Sequence, residues 1–100
     1  MSIKLYSPQD LLKAVGARAR QRRLLLGHRQ EDLASTAGVP IITVRRFESG
    51  KSIGFEAVAK IALALHAERA IAELFPAPET RSIDDILKAQ RRPRRARKRR

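Results

Sequence analysis

QEDLASTAGVPIITVRRFESGK, residues 30–51, is the stretch that decides the fold of this chain. Its first part, residues 30–37, places apolar side chains on one face at helical spacing. Gly38 follows, and glycine most readily adopts the left-handed conformation that ends a helix and turns the chain. A second helical run over residues 41–49 also carries an apolar inner face. The stretch therefore predicts two short helices joined by a tight glycine turn.

The second helix of this pair is basic. Val44 and Phe47 lie three positions apart and face inward, which directs Arg45 and Arg46 elsewhere. Two helices joined by a short glycine-containing turn, the second of them basic, are typical of a helix-turn-helix that inserts its second helix into the major groove of DNA. The stretch therefore indicates sequence-specific DNA binding.

A wider part of the chain, residues 16–65, resembles the Cro and CI type of helix-turn-helix domain, also called XRE-like. The matching residues are, in order, Gly16, Arg20, Arg23, Gly27, Gln30, Leu33, Ala34, Gly38, Val39, Thr43, Val44, Glu48, Gly50, Ile61, Ala62, Ala64 and Leu65. The resemblance implies an all-α fold, namely a compact lambda-repressor-like helix-turn-helix domain of five to six helices.

Three positions depart from the family's pattern. His28 stands where a large apolar residue is usual, and Arg29 and Pro40 stand where Ser or Thr usually caps a helix. Proline has a suitable φ for a helix start but no side-chain acceptor, so we expect up to ~1 kcal/mol of capping to be missing at Pro40. These departures affect local geometry and leave the expected fold unchanged.

Length and composition exclude several classes of protein. A chain of 100 residues is large enough for one domain, and the absence of cysteine excludes disulfides and thiolate chemistry. No apolar run reaches transmembrane length, and the N-terminus lacks a signal-peptide core. We therefore expect a cytoplasmic protein that associates with the bacterial nucleoid through DNA and has no membrane partner.

The remaining patterns predict further helices. Ser7 is expected to cap helix 1, which runs to about Leu26. Its apolar stripe consists of Leu11, Leu12, Val15, Ala19 and residues 24–26. Helix 4 is expected over residues 55–66. Its core-facing side chains are Phe55, Val58, Ala59, Ile61, Ala62 and Leu65.

The chain is expected to divide into three parts. The helix-turn-helix domain occupies residues 1–75 and ends in a fifth helix, or less favourably an extended arm, over residues 68–75. A linker with a short C-terminal helix capped by Ser82 occupies residues 76–90. Residues 91–100 form a disordered Arg-rich tail, because they cannot bury a core.

Seven residues are expected to contact DNA: Gln30, Ile41, Ile42, Thr43, Arg45, Arg46 and Lys51. By register with the family, the base-facing positions are Ile41, Ile42 and Arg46. An arginine can make a bidentate contact to guanine worth ~1–3 kcal/mol of discrimination. Ile41 either packs as core or touches a thymine methyl group, whereas Ile42 is expected to be exposed. Thr43 either bonds a phosphate or is simply a tolerated helical residue.

A second group of residues is expected to hold the helices together. The resemblance implies that Arg23 pairs with Glu48 and fixes helix 1 against helix 3, since a guanidinium offers a planar fork to two carboxylate oxygens. The alternative is a weak surface pair. Gln30 is placed to meet the DNA backbone through its amide and the N–H groups at the start of helix 2.

The tail carries most of the net charge of +12, because eight basic residues lie in the last ten. They are Arg91, Arg92, Arg94, Arg95, Arg97, Lys98, Arg99 and Arg100. Counterion release would make such a tail a sequence-independent ligand for DNA or RNA. It can also act as a minor-groove arm, or serve only as a solubilising or protease-sensitive end.

Catalysis and metal binding find no support in the sequence. His28 and His66 lie at helix boundaries without acidic or hydroxyl partners at useful spacing. Two isolated histidines without cysteine do not make a metal site. We expect a protein that is not an enzyme and needs no cofactor.

The N-terminal segment IKLYSPQDLLKAV, residues 3–15, is similar to the start of HipB-type antitoxins. That resemblance implies an autoregulating homodimer that binds a palindromic operator and a HipA-type serine/threonine kinase toxin. Its dimer surface is expected to use Ile71, Leu74 and Phe75, together with Leu5 and Tyr6. Residues 82–90 can contact either the second subunit or the toxin.

Two other functions stay open. One is a stand-alone repressor of phage or host origin that has no toxin. The other is a protein or RNA interaction module whose DNA-reading surface has degraded, an interpretation that the apolar pair Ile41 and Ile42 and the uncapped Pro40 favour.

Overall fold

The computed structural model describes residues 6–78 and 87–88, and this part of the chain contains five helices and no strand. They are α1 (Pro8–Leu25), α2 (Gln30–Ala37), α3 (Ile41–Glu48), α4 (Phe55–Ala64) and α5 (Glu68–Ala72). The predicted all-α fold is thereby confirmed. Leu5, the tail and all of the expected helix over residues 82–90 except residues 87–88 lie outside the described part.

The start of α1 has the predicted capping box. The hydroxyl of Ser7 accepts a hydrogen bond from the Asp10 backbone N–H at 3.0 Å, and the Asp10 carboxylate accepts one from the Ser7 N–H at 3.3 Å. Pro8 occupies the first helical position, where a missing N–H costs nothing. These bonds satisfy N–H groups that have no partner inside the helix.

The turn between α2 and α3 depends on Gly38, whose φ is 74°. Its N–H donates to the carbonyl of Ala34 at 2.9 Å and closes the last turn of α2. Pro40 then precedes α3 and provides no side-chain cap, as its sequence predicts. The two helices are therefore joined by the left-handed glycine turn that the sequence indicates.

The core lies between α2, α3 and α4. Leu33, Val44 and Ile61 are fully buried, one from each of these helices, and Phe47 and Leu65 complete the centre. Each large apolar side chain buried in this way contributes roughly 1.5–3 kcal/mol. The packing orients α3 because its apolar face is held against two neighbouring helices.

One expectation about apolar side chains is wrong. Phe55 does not face the core but is 61% exposed, because it is the first residue of α4 and lies beyond the layer that Val58 and Ile61 fill. The stripe on α1 is only partly covered in the described structure, since Leu11 and Val15 remain about half exposed. Apolar spacing alone does not show whether a partner element reaches the stripe.

Helices α4 and α5 both end earlier than expected. α4 ends at Ala64, and His66 adopts a left-handed φ of 58°. α5 ends at Ala72 instead of continuing to Phe75, which has a φ of 55° and is 92% exposed. The residue before a proline is disfavoured in the helical conformation, and Phe75 precedes Pro76. The fifth helix is therefore a short element of one to two turns.

Candidate nucleic-acid interface

Helix α3 presents one polar face to solvent. Val44, Phe47 and Glu48 are buried, while Arg45 and Arg46 are exposed. At 100° per residue the exposed residues Ile42, Arg45, Arg46 and Ser49 form a contiguous strip opposite the buried face. We call this solvent-exposed strip the α3 face.

The two isoleucines at the start of α3 have different surroundings. Ile41 is half-buried and packs against the core, whereas Ile42 is 56% exposed on the α3 face. Ile42 can neither donate nor accept a hydrogen bond, so a base contact by this residue would be to a thymine methyl group. Thr43, predicted as a phosphate contact or a neutral helical residue, is half-buried.

The cations of the α3 face are accessible. Arg46 donates from Nη2 to the carbonyl of Ser52 at 3.2 Å, a bond that orients the guanidinium and leaves its other N–H groups available. Arg45 and Lys51 are exposed as well. Arg46 therefore has a defined orientation before any ligand arrives, which reduces the entropy that a bidentate base contact would cost.

A buried ion pair holds α1 against α3. Arg23 donates from Nε to Oε2 of Glu48 at 2.6 Å and from Nη2 to Oε1 at 2.9 Å. Their side chains are only 7% and 3% exposed. Arg23 also donates from Nη1 to the carbonyl of His28 at 2.8 Å, which attaches the loop before α2. The hydrogen bonds to Glu48 raise the pKa of Arg23 above its ordinary value, against the opposing effect of burial.

Gln30 joins the same carboxylate. Its Nε2 donates to Oε1 of Glu48 at 3.0 Å, so the first residue of α2 is tied to the last residue of α3. The amide carries a second N–H, and the backbone N–H groups at the start of α2 lie beside it. The structure thus brings the predicted backbone contact together with the predicted ion pair. Sequence reasoning missed this bond, because nothing local connects positions 18 residues apart.

Arg29 pairs with the two acidic residues in the first turn of α2. The Asp32 carboxylate accepts from the Arg29 backbone N–H at 2.9 Å and from its guanidinium at 3.3 Å, while Glu31 lies 3.8 Å from the guanidinium. The backbone bond and then the side-chain bond lower the pKa of Asp32. Arg29 has no cap acceptor of its own, so Asp32 supplies the polar contact at this helix start.

Arg22 is a structural residue that the sequence did not reveal. It donates from Nε to the carbonyl of Leu65 at 2.7 Å and from Nη2 to that of His66 at 2.8 Å. These carbonyls lie at the end of α4 and have no partner inside the helix. Arg22 therefore ties α1 to the end of α4 and supplies donors to carbonyls that the end of the helix leaves free.

The two histidines show no metal-ligand arrangement. The buried Nδ1 of His28 has no hydrogen-bond partner within the described structure, and His66 is exposed. Within residues 6–78 and 87–88, no group of three or more histidine, cysteine, aspartate or glutamate side chains is placed to hold a metal ion. In the same residues, no helix is long and apolar enough to cross a membrane.

An exposed basic helix, positioned by its neighbours in an all-helical domain, defines a DNA-binding protein of the helix-turn-helix class. Comparison with protein families agrees, because the model of the family described as helix-turn-helix matches residues 20–70, more than half of the chain. The chain therefore belongs to the Cro/CI-like helix-turn-helix family and is a DNA-binding transcription regulator. No curated protein matches it significantly.

Proposed function

We propose that this protein is a dimeric transcriptional repressor that binds a palindromic operator in its own promoter as the antitoxin of a HipA-type kinase toxin. The observation that carries the DNA-binding part is the α3 face, exposed and basic, on a helix anchored through Glu48. The antitoxin part rests on the similarity of residues 3–15 to HipB-type chains. Such a regulator works in the cytoplasm, on the bacterial nucleoid.

The need for sequence discrimination favours a dimer. One α3 face contacts too few base pairs for useful discrimination, and two faces about 34 Å apart contact two half-sites one helical turn apart. The exposed apolar surface supports such pairing. A groove of about 450 Å³ between α1, α4 and α5 is lined in part by Val15 and Ile71. Leu74 and Phe75, which follow α5 in the chain, are exposed.

The positions of the contact residues suggest which of them contact bases and which contact phosphates. Arg46 and Ile42 on the α3 face recognise bases, whereas Gln30, Arg45 and Lys51 contact phosphates and fix the register of the protein on DNA. Thr43 assists at the edge of the face. The Arg-rich tail adds affinity that is independent of sequence.

The test is binding of the full chain to its own upstream promoter and to an unrelated duplex of equal length, each at two salt concentrations. We expect tight promoter binding that persists at the higher salt, because base contacts are less sensitive to salt than phosphate contacts are. Equal and salt-labile binding to both duplexes would refute a sequence-specific repressor.

The toxin partner needs its own experiment. We expect a serine/threonine kinase gene beside this one, and a complex of the two proteins when they are co-expressed and purified by size exclusion. A promoter-binding dimer without such a gene, or without such a complex, would be a stand-alone repressor.

An interaction module is the second candidate function, and exposed Ile42 favours it, since an apolar side chain at the N-terminal end of the α3 face also suits a protein surface. Substituting Ile42→Asp distinguishes the two functions. If Ile42 contacts DNA, the Ile42→Asp variant would lose promoter binding, because the new carboxylate would repel the DNA phosphates. If the α3 face instead binds a protein, neither the parent nor the Ile42→Asp variant would show measurable promoter binding.

A further inference from the structure

Lys13 of α1 packs directly on Gly50, the residue just beyond α3. A Cβ atom added to Gly50 would lie 2.7 Å from Lys13 Cγ and 3.1 Å from Lys13 Cα. Gly50 also has a φ of 86°, which favours glycine. The close approach is therefore possible only because position 50 has no side chain, and it holds Lys13 at the end of the α3 face.

A second glycine fixes the same helix-to-helix contact. Gly16 follows Lys13 by one turn and shares its face of α1, and a Cβ atom there would overlap the carbonyl oxygen of Phe47. Two turns further on, Arg23 makes its ion pair with Glu48. Three contacts along one face of α1 thus hold the position of Lys13 relative to α3.

Lys13 lies beside a second lysine, across the glycine on which it packs. Lys51 follows Gly50 directly, and both lysines are exposed. Over residues 6–78 and 87–88, no carboxylate forms an ion pair with either of them. Lys13 packs on Gly50 and Lys51 follows it in the chain, so both residues lie beside the end of the α3 face at exposed Ser49.

We propose that Lys13 and Lys51 together bind one phosphate of the DNA backbone at the edge of the major groove that α3 enters. The proposal rests on the proposed function and adds a contact that the family match does not include, since Lys13 precedes residues 20–70. Lysine binds phosphate as a compact charge, which positions the protein without selecting a sequence. The long first helix thereby extends the DNA-contacting surface beyond the helix-turn-helix itself.

A purely structural role for Lys13 predicts a different result. A cation near the C-terminus of α3 would stabilise the helix dipole, which affects folding stability and not the number of phosphates neutralised. The salt dependence of DNA binding separates the two roles, because the slope of log K against log salt changes by about 0.9 for each phosphate contact.

The experiment compares Lys13→Gln with Arg18→Gln in the full chain, using the upstream promoter duplex across a series of salt concentrations. Arg18 is a matched control, since it is an exposed cation on the same helix that lines the groove facing α4 and α5. We expect Lys13→Gln to reduce the slope by about 0.9 and Arg18→Gln to keep the wild-type slope. Lys51→Gln should match Lys13→Gln, and the double variant should lose no more slope than either single variant, because both lysines are needed to hold the same phosphate.

The outcomes separate the two proposals. Wild-type protein that binds the promoter while Lys13→Gln retains the full slope overturns the phosphate site alone. Equal reductions for Lys13→Gln and Arg18→Gln also overturn it, since net charge would then explain both. Wild-type protein that does not prefer its promoter refutes the proposed function, and the phosphate site with it.

Discussion

The side-chain amide of Gln30 donates a hydrogen bond to Oε1 of Glu48 at 3.0 Å. The same oxygen accepts from Nη2 of Arg23 at 2.9 Å, so one carboxylate joins the start of α2, the end of α3 and the last turn of α1. Because Gln30 and α3 are both expected to face DNA, Glu48 sets the distance between two parts of the contact surface. We therefore expect folding stability and DNA binding to depend on the same buried group.

Glu48→Ala is expected to destabilise the protein by ~3–5 kcal/mol, because it leaves the Arg23 guanidinium buried and unpaired. Urea denaturation measures this loss. Arg29→Ala provides the control, since its pairs with Glu31 and Asp32 are exposed and solvent-screened pairs of this kind contribute little to stability. Equal losses for the two variants would contradict a buried frame at Glu48.

Gly16→Ala tests the close contact of α1 with α3 through the sign of its effect. In an open helix this substitution stabilises by roughly 0.5–1 kcal/mol. Here the added methyl group meets the carbonyl oxygen of Phe47, so we expect a net loss of about 1–3 kcal/mol as the helices separate. Thermal unfolding that shows Gly16→Ala to be more stable than the parent would contradict the contact.

The contact between Arg29 and Asp32 should contribute a pH dependence. Hydrogen bonds from the Arg29 backbone and guanidinium lower the pKa of Asp32, so its contribution to stability is present above the unfolded-state pKa of ~3.9. The contribution is lost as the pH falls through the lowered pKa of the folded state. Asp32→Asn should be less stable than the parent near pH 6, with a difference in urea midpoint that shrinks towards pH 2. A constant difference would rule out this linkage.

Removing residues 91–100 should weaken binding to every duplex and flatten its salt dependence, because the eight basic side chains are expected to release counterions. Filter binding to the promoter and to unrelated DNA at several salt concentrations measures both quantities. Preference for the promoter should survive the deletion. Loss of that preference with bulk affinity retained would mean that the tail, and not α3, supplies specificity.

The sequence predicted the elements whose signals are local. The bounds of α2 agree because apolar spacing and Gly38 mark them directly, and the Ser7 cap was visible in the order of Ser7, Pro8 and Asp10. The exposure of Phe55 was not predictable in this way, since periodicity places a residue on a face without showing where the neighbouring layer ends.

Contacts between distant positions were the part of the site that sequence patterns did not indicate. Gln30 on Glu48, Arg22 on the end of α4 and Lys13 on Gly50 each join residues far apart in the chain. A lone arginine or lysine on a helix carries no local sign of its partner. Only Gly16 and Gly50 hinted at these approaches, and a close contact is one of several reasons for glycine at a given position.

The central claim is that Arg46 on the α3 face recognises bases, and the direct test is the ratio of promoter affinity to unrelated-duplex affinity for Arg46→Ala beside Lys51→Ala. We predict that Arg46→Ala lowers the ratio, and that the corresponding free energy of discrimination falls by ~1–3 kcal/mol per half-site. Lys51→Ala should weaken both affinities alike and leave the ratio unchanged. An unchanged ratio for Arg46→Ala, in a protein that still prefers its promoter, would contradict base recognition by this residue.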